Sequence, residues 1–351
     1  MIPVVDLGRR LARQETAYLA AVSRVMRSGS LLLGPELTAF EVEAAAALGE
    51  DDVVGVSSGA AAIQLALQGL GIGAGDEVIV PAFTAVPTVS AVCATGATPV
   101  PVDVDEHTAL IDGRGVQEAI TERTKAIVPV HLYGRPVAID ELSGLGIAIV
   151  EDAAQAHGAT SSNRGTAAAA YSFYPTKNLG GIGDGGAVGT SDPALAASIR
   201  RRRTHGMTEQ YVHVDVSQNF RMSELEAAWL RLQLVELAAG TERRRAIARH
   251  YRDAAPGLRW QDDHVDHVYH LCVARVTGRD AVRERLATAG VATAIHYPLA
   301  ITQQPAYRDL DGPPCPGAEG WAAECISVPC FPELSDAEVE TVGQALALVA
   351  T

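Results

Sequence analysis

Short apolar runs alternate with helix-like segments through the first half of the chain. One such segment, residues 60–70, directly follows the first run. Continuous apolar runs separated by helices are typical of parallel strands whose sheet is covered on both faces, with right-handed connections. We therefore expect an α/β fold with a mainly parallel central sheet. The predicted strands are residues 53–56, 77–81, a segment beginning at 98, 125–132 and 146–152.

The pattern changes after residue 170. Short strand-like pieces with many glycines fill residues 171–190, and an α+β portion ends the chain. There Ser335 and Glu338 have the spacing of a capping box at the start of a terminal helix. We place a domain boundary near residue 236, which gives a large domain, 1–235, and a small C-terminal domain, 236–351. The other expected elements are helices at 193–204, 222–239, 242–251 and 280–289, and strands at 268–276 and 292–297.

Composition and charge narrow the class of protein. The 351 residues carry 28 Lys plus Arg against 42 Asp plus Glu, a net charge of −14. An acidic surface disfavours nucleic acid as a partner, and we interpret the basic run 200–203 as a solvated helix end. No apolar stretch reaches the ~18 residues of a membrane span. The N-terminus lacks the order of a signal peptide, so we expect a cytoplasmic protein.

The five cysteines form no CxxC pair, and their number is odd. In a cytoplasmic chain this favours buried or free thiols over disulfides or a metal site.

Lysine is rare, which restricts amine chemistry to two candidates. Lys125 begins a predicted strand after the polar run TERT, where solvated lysines are common. Lys177 lies in YSFYPTKNLGGIGDGG, among small residues that let a flat ring approach closely. A surface lysine in a turn is the alternative for Lys177, but the density of glycines favours a binding loop. Those glycines lack the preceding first strand and following helix of a dinucleotide-binding loop.

Polar groups suited to a cofactor with an aldehyde, a ring nitrogen and a phosphate follow two predicted strands. Asp152 ends the strand GIAIVED, where open α/β sheets bind ligands, and it could pair with a protonated ring nitrogen. Gln155 could donate to a ring hydroxyl, and Ala154 is small enough to lie under the ring. The turn Ser58-Gly59-Ala60 opens a helix whose N–H groups could bind phosphate. Taken alone, Asp152 could be a helix N-cap, and the turn a plain strand-to-helix connection.

Several longer segments resemble one known family. They include SSGAAAIQLAL, DEVIVPAFT, PVHLYGRP, NFRMSELEAA and VPCFPELSD, and EDAAQAHGA is followed about 25 residues later by SFYPTKNLGGIGDGG. The chain resembles, nearly end to end, the sugar aminotransferases of the DegT/DnrJ/EryC1/StrS group. The resemblance implies the fold type I architecture of enzymes that use pyridoxal 5′-phosphate (PLP), with a mainly parallel sheet and a smaller C-terminal α+β domain.

The resemblance also implies roles for individual residues. Lys177 would be the Schiff-base lysine, Asp152 the partner of the pyridine nitrogen, and Gln155 the contact to the ring hydroxyl. Asn219 would reach the phosphate of the neighbouring subunit, so that the active unit is a homodimer. The other implied cofactor contacts are Gly59, Ala60, Ala85, Ala154 and Ser172. The implied substrate-pocket residues are His131, Tyr133, His296 and Tyr297.

Three positions depart from the family pattern. Ala60 stands where a threonine hydroxyl usually contacts the phosphate, and Thr302 stands where a second histidine is usual. Ala85 replaces an aromatic residue that usually stacks on the ring. We expect either that Phe83 or His157 fills the space above the ring, or that the substrate does.

The implied reaction has two halves. L-glutamate (or glutamine) gives its amino group to PLP, and the resulting pyridoxamine 5′-phosphate passes it to a ketone, most simply on a nucleotide-linked keto-deoxysugar. The natural setting would be amino-sugar biosynthesis for a natural product or a surface polysaccharide. An amino-cyclitol ketone is an open alternative. A PLP-dependent sugar dehydratase is disfavoured because such enzymes replace the lysine with histidine. A non-catalytic PLP-binding regulator is disfavoured because there is no room for a DNA-binding domain.

Overall fold

A computed structural model describes residues 1–159, 165–310 and 312–350 of the chain. Its central sheet has seven strands in the order β1-β7-β6-β5-β4-β2-β3. Only β7 runs against the others, so the sheet is mainly parallel, as the apolar runs predict. The strands are β1 (Asp52–Val56), β2 (Glu77–Pro81), β3 (Thr98–Val102), β4 (Thr124–Ile127), β5 (Ala148–Asp152), β6 (Ala168–Ser172) and β7 (Gly186–Thr190).

Helices cover both faces of this sheet. Alternate strand residues point to opposite faces: Val54 and Ala170 join one apolar cluster, whereas Val53 and Tyr171 join another. Both faces of the sheet are therefore buried. The helices up to residue 254 are α1 (Leu7–Ser28), α2 (Pro35–Leu48), α3 (Gly59–Gly69), α4 (Val86–Thr95), α5 (Gly113–Ala119), α6 (Ile139–Ser143), α7 (Pro193–Arg202), α8 (Glu224–Leu234) and α9 (Leu237–Ala254).

The C-terminal part builds a second, smaller sheet. Its apolar cluster is formed by residues from 247 onward, with Ile2 packed against it. The predicted capping box of the last helix is present, since Ser335 Oγ accepts the N–H of Glu338 and Glu338 accepts that of Ser335. The boundary near 236 stays a prediction. The remaining elements are a hairpin of β8 (Met207–Glu209) and β9 (Val212–His213), the small sheet of β10 (Arg259–Trp260), β11 (Cys272–Arg275) and β12 (Cys325–Val328), and α10 (Arg279–Thr288), α11 (Pro316–Glu324) and α12 (Asp336–Val349).

The prediction of a strand at 292–297 is wrong. Only Ala294 pairs with β12, through two backbone bonds to Ser327 of 3.0 and 2.8 Å. The chain then leaves the sheet, and the hydroxyl of Tyr133 donates to the carbonyl of His296. A tertiary contact therefore determines the path of this segment.

Three other expected elements are shorter or divided. The strand predicted at 125–132 ends as β4 at Ile127, close before Pro129, which has no N–H to donate to a neighbour. The helix predicted at 222–239 is split between α8 and α9. The strand predicted at 268–276 is reduced to β11, because the N–H groups of Val268 and Leu271 donate to the loop at 133–134.

The five cysteines are free, and all but Cys93 are buried. Among the described residues, no helix is both long and apolar enough to cross a membrane.

Candidate active site

The carboxyl ends of β1, β2, β5 and β6 open onto one cavity of about 260 Å³. In open α/β sheets this edge is where ligands bind. Asp152 ends β5 and Ser172 ends β6, while Ser58 and Thr84 lie just beyond β1 and β2. The residues that were predicted to contact the cofactor and that line this cavity are Gly59, Ala60, Ala85, Asp152, Ala154, Gln155, Ser172 and Lys177.

Lys177 is held by the loop that follows β6. Its N–H donates to the carbonyl of Tyr174 at 2.8 Å. From α1, the Arg10 guanidinium donates to the carbonyl of Lys177 at 3.0 Å and to that of Pro175 at 3.1 Å. Burial lowers the pKa of the Lys177 amine to about 8, although the Asp152 carboxylate acts in the opposite direction. At pH 7 roughly a tenth of the amine is therefore neutral and nucleophilic, far more than at the ordinary pKa of 10.5.

Asp152 is a buried carboxylate with two internal donors. The hydroxyl of Thr88 donates to Oδ2 at 2.7 Å, and the N–H of Ala154 donates to Oδ1 at 3.1 Å. Burial raises the pKa of Asp152, whereas these hydrogen bonds and the Lys177 amine lower it. The two donors favour the charged form, which is the form that pairs with a cationic ring nitrogen.

The opposite end of the cavity is the start of α3. Ser58 caps this helix by accepting the N–H of Ala61 at 3.1 Å, and its carbonyl accepts that of Ala62 at 3.0 Å. The N–H groups of Gly59 and Ala60 belong to the first turn and have no acceptor within the helix. A Cβ at Gly59 would lie 2.6 Å from the Cβ of Ser172, so only glycine lets β6 approach this closely. The turn thus presents N–H groups and the Ser172 hydroxyl to an anion.

Gln155 has a fixed orientation. Its Oε1 accepts the backbone N–H of Tyr133 at 2.8 Å, so the carbonyl end of the amide faces the protein. Its Nε2 is 3.4 Å from the hydroxyl of Tyr297. The side chain therefore turns its NH₂ donor towards the cavity, as a contact to a ring hydroxyl requires.

A second cavity of about 330 Å³ shares Tyr174 and Lys177 with the first. His296 and Tyr297 line it, as does His270, whose buried Nδ1 has no hydrogen-bond partner among the described residues. Burial lowers the pKa of His296 to about 4 and that of His270 well below its ordinary value. Both rings are therefore neutral at pH 7 and are available as hydrogen-bonding groups beside Lys177.

Three of the sequence-predicted site residues lie away from both cavities. His131 is buried behind the site, where Nε2 bonds to Glu151 at 2.8 Å and Nδ1 accepts the N–H of Val137 at 3.0 Å. Tyr133 is fully buried and reaches the site only through its bonds to Gln155 and His296. Asn219 is exposed, and its side-chain oxygen accepts from Arg221 at 2.9 Å.

Sequence reasoning missed other lining residues, among them Thr84, Thr88, Tyr174 and Asp184. No local signal marks Thr88, because its contact with Asp152 depends on how α4 packs beside the end of β5. Tyr174 and Asp184 carry no sequence signal either.

The cavity fits PLP, a flat ring with a phosphate on one side and a basic nitrogen. The turn at Gly59 and Ser172 would offer donors to the phosphate, and Asp152 would offer a buried carboxylate to the nitrogen. Lys177 would supply the amine for the aldehyde, and Ala154 and Ala85 would leave room beside the ring. When bound, PLP supplies an electron sink for breaking a C–H bond next to a substrate amine.

Comparisons with known proteins give the same assignment. A profile of the DegT/DnrJ/EryC1/StrS aminotransferase family matches residues 13–347. A dTDP-3-amino-3,4,6-trideoxy-α-D-glucose transaminase of Streptomyces venezuelae is 45% identical over 349 residues, covering 95% of this chain and 92% of the relative. A UDP-N-acetyl-3-dehydro-α-D-glucosamine 3-aminotransferase of Acidithiobacillus ferrooxidans is 39% identical, with 97% and 96% covered.

Two solved structures share the fold over nearly the whole chain. The S. venezuelae protein DesV, in complex with a ketimine intermediate, superposes with a TM-score of 0.95 at 44% identity, covering 99% of this chain and 98% of that one. NtdA of Bacillus subtilis, with bound pyridoxamine phosphate (PMP), has a TM-score of 0.95 at 28% identity, covering 99% and 85%. The chain is a member of the DegT/DnrJ/EryC1/StrS family of PLP-dependent aminotransferases.

Proposed function

We propose that this chain transfers an amino group from L-glutamate, or glutamine, to the ketone of a nucleotide-linked keto-deoxysugar. The reaction would serve amino-sugar biosynthesis for a natural product or a surface polysaccharide. The observation that carries the proposal is one cavity in which Lys177, Asp152 and the start of α3 meet. Relatives named as dTDP-sugar and UDP-sugar aminotransferases support the substrate class.

In this proposal each side chain has one task. Lys177 Nζ takes a proton from the substrate carbon and returns it to the cofactor carbon, which the lowered pKa of its amine supports. Asp152 holds the proton on the ring nitrogen. The Gln155 amide orients the ring through its hydroxyl, while Gly59, Ala60 and Ser172 hold the phosphate.

The sugar would occupy the second cavity, beside Lys177. His296 and Tyr297 line that cavity and would contact the sugar directly. Tyr133 would act indirectly, because its hydroxyl holds the His296 carbonyl and its N–H holds Gln155. The internal bonds of His131 support a structural role rather than substrate contact.

The active unit would be a homodimer with shared sites. Asn219 lies outside its own chain's cavity and is exposed, which supports a contact to the phosphate held by the partner subunit.

The experiment that tests the function separates the two half-reactions. The purified protein is loaded with PLP and treated with L-glutamate to form PMP. After removal of the donor, it is mixed with a panel of dTDP- and UDP-linked 3-keto and 4-keto sugars and a keto-cyclitol. Return of the PLP absorbance with a nucleotide sugar is expected. If the PLP absorbance returned with the keto-cyclitol alone, the substrate would be an amino-cyclitol precursor rather than a nucleotide sugar. If no amino donor formed PMP, transamination itself would be contradicted.

A matched pair of variants tests the first half-reaction, the formation of PMP. Asp152→Asn should still bind PLP but slow PMP formation by orders of magnitude, because a neutral amide does not hold the ring proton and each ~1.4 kcal/mol lost costs tenfold in rate. Lys125→Ala should behave as wild type, since Lys125 is exposed and its amine donates to the carbonyl of the nearby Glu122. Near-normal turnover of Asp152→Asn would contradict the role given to Asp152.

A further inference from the structure

Two threonine hydroxyls form a chain of hydrogen bonds that ends at Asp152. Thr88 Oγ1 is 2.7 Å from Asp152 Oδ2 and 3.0 Å from Thr84 Oγ1. Thr88 and Thr84 are both buried, with exposed fractions of 0% and 2%. Thr88 lies in the first turn of α4, and Thr84 lies in the connection between β2 and α4. This chain of hydrogen bonds therefore joins the end of β5 to the segment that follows β2.

The direction of each proton in this chain of hydrogen bonds follows from counting donors. A hydroxyl has one proton to give, and an ionised carboxylate has none. The Thr88 proton must therefore point to Asp152. The remaining contact, between the two hydroxyls, must then be a donation from Thr84 to Thr88. Both protons point towards Asp152 as long as Asp152 is charged.

The hydrogen bonds to Asp152 oppose the effect of burial on its charge. A carboxylate removed from water tends to become neutral unless donors replace the lost solvent. Oδ1 receives the N–H of Ala154 at 3.1 Å, and among the described residues the donor to Oδ2 is Thr88. A donor whose own oxygen accepts a hydrogen bond is polarised and donates more strongly. Thr84 therefore acts on Asp152 through Thr88.

We propose that Thr84 and Thr88 form a hydroxyl relay that keeps Asp152 ionised and oriented towards the ring nitrogen of the cofactor. Thr88 is a positioning residue, because it acts through Asp152. Thr84 is the outer member of the relay, because it contacts Thr88 and reaches Asp152 through it. The inference rests on the proposed PLP chemistry and adds a device that tunes the group at the ring nitrogen.

The test compares the binding of two cofactors rather than turnover. PLP has the ring nitrogen that Asp152 pairs with, whereas 1-deaza-PLP has a carbon at that position. Dissociation constants for both are measured by absorbance with wild type, Thr88→Val and Thr88→Ser. Thr88→Val keeps the shape and removes the hydroxyl, and Thr88→Ser keeps the hydroxyl. Thr190→Val is the matched control, because Thr190 is equally buried but its hydroxyl donates to the Ala167 carbonyl.

Thr88→Val should weaken PLP binding by about tenfold to a hundredfold, the range for a lost hydrogen bond to a charged group. Its affinity for 1-deaza-PLP should stay within about twofold of wild type, since no ring proton is involved. Thr88→Ser should restore most of the PLP affinity, Thr84→Val should cause a smaller and equally selective loss, and Thr190→Val should change neither constant.

Equal losses for both cofactors in Thr88→Val would mean that Thr88 serves packing alone, and the relay would be overturned. An unchanged PLP affinity in Thr88→Val would also overturn it. Failure of the proposed function is distinguishable, because wild-type protein would then form no PMP from any amino donor, whereas the relay is tested by cofactor affinity alone.

Discussion

Burial acts in opposite directions on the two charged groups at the centre of the site. It lowers the pKa of Lys177 to about 8 and raises the pKa of Asp152, while the attraction between the two groups limits both shifts. Their separation from water therefore favours a neutral amine, whereas the donors around Asp152 favour its charge. One group is prepared to attack an aldehyde and the other to hold a cation.

The lowered pKa of Lys177 gives the first prediction. Only the unprotonated amine attacks an aldehyde, so the rate of PLP capture by the cofactor-free protein should rise as pH rises through about 8, not through the ordinary 10.5. Stopped-flow absorbance between about pH 6 and pH 11 measures this rate, and that range includes both pKa values. Lys177→Ala should show no lysine-linked absorbance, and Lys125→Ala should reproduce the wild-type curve. A midpoint near 10.5 would show that the amine is not buried as described.

Ala85 gives the second prediction at this scale. Phe83 and His157, which were expected to replace the missing aromatic, both pack elsewhere in the structure. Phe83 is fully buried and stacks on Trp321 at 6.2 Å, and His157 packs at 5.7 Å from Tyr171. Neither lines the cavity, whereas Ala85 does. We therefore expect the face of the ring beside Ala85 to be left to the substrate.

A phenylalanine at position 85 would stack on the ring, a contact worth about 0.5–1.5 kcal/mol beyond area burial. Ala85→Phe should therefore slow the loss of PMP during turnover by about threefold to tenfold and raise KM for the sugar by crowding its entry. Gel filtration followed by absorbance gives the PMP dissociation rate. Phe83→Leu is the control, and faster PMP release in Phe83→Leu with no change in Ala85→Phe would contradict the open face.

At the scale of elements, α8 supports the glycine loop between β6 and β7. Glu226, near the start of α8, accepts the N–H of Gly183 at 3.0 Å, and burial raises the pKa of Glu226 to about 7. A Cβ on Gly181 would lie 1.7 Å from Glu226 Oε1 and 2.8 Å from the carbonyl of Phe173. The loop that follows Lys177 thus lies directly on the buried carboxylate, with no room for a side chain.

Gly181→Ala should accordingly destabilise the protein by about 1–3 kcal/mol, the range for overpacking a filled core. It should also weaken PLP binding, because the loop carries Asp184 and Gly185 into the cavity wall. Thermal unfolding and PLP titration measure the two effects. Gly144→Ala is the matched control, since its new Cβ would meet nothing within 4 Å and its φ of −66° suits alanine. Equal melting temperatures for the two variants would contradict the packing.

The elements also show what the sequence can and cannot specify. The capping box of Ser335 and Glu338 and the apolar runs of β2 and β3 are local signals, and they are confirmed. Asp152 and Lys177 line one cavity because a parallel sheet brings its strand ends to one edge. The predicted topology and two motifs were therefore enough to bring these two residues together. The segment 292–297 has a strand-like pattern, but a bond from Tyr133, far away in sequence, directs it into the site. Thr88 required knowing that α4 begins beside β5.

At the scale of the whole molecule, exposed apolar residues lie on the same segments as Asn219. Tyr211 and Val216 are 82% and 98% exposed, and the bridge from Leu32 to Ser223 joins another exposed apolar stretch to this region. Large exposed apolar side chains grouped in this way mark protein interaction surfaces. A symmetric dimer would cover them and bring Asn219 of the partner subunit to the phosphate end of the cavity.

Subunit complementation tests this arrangement. Lys177→Ala and Asn219→Asp are each expected to be inactive as pure dimers, the first without its amine and the second with a carboxylate against the phosphate. If the two residues serve one site from different chains, a mixed dimer contains one intact site. Random exchange makes half of the dimers mixed, so an equal mixture should recover about a quarter of wild-type activity. Two affinity tags confirm that exchange has occurred. No recovery despite confirmed exchange would mean that Asn219 acts within its own chain, because every site in the mixture would then carry one defect.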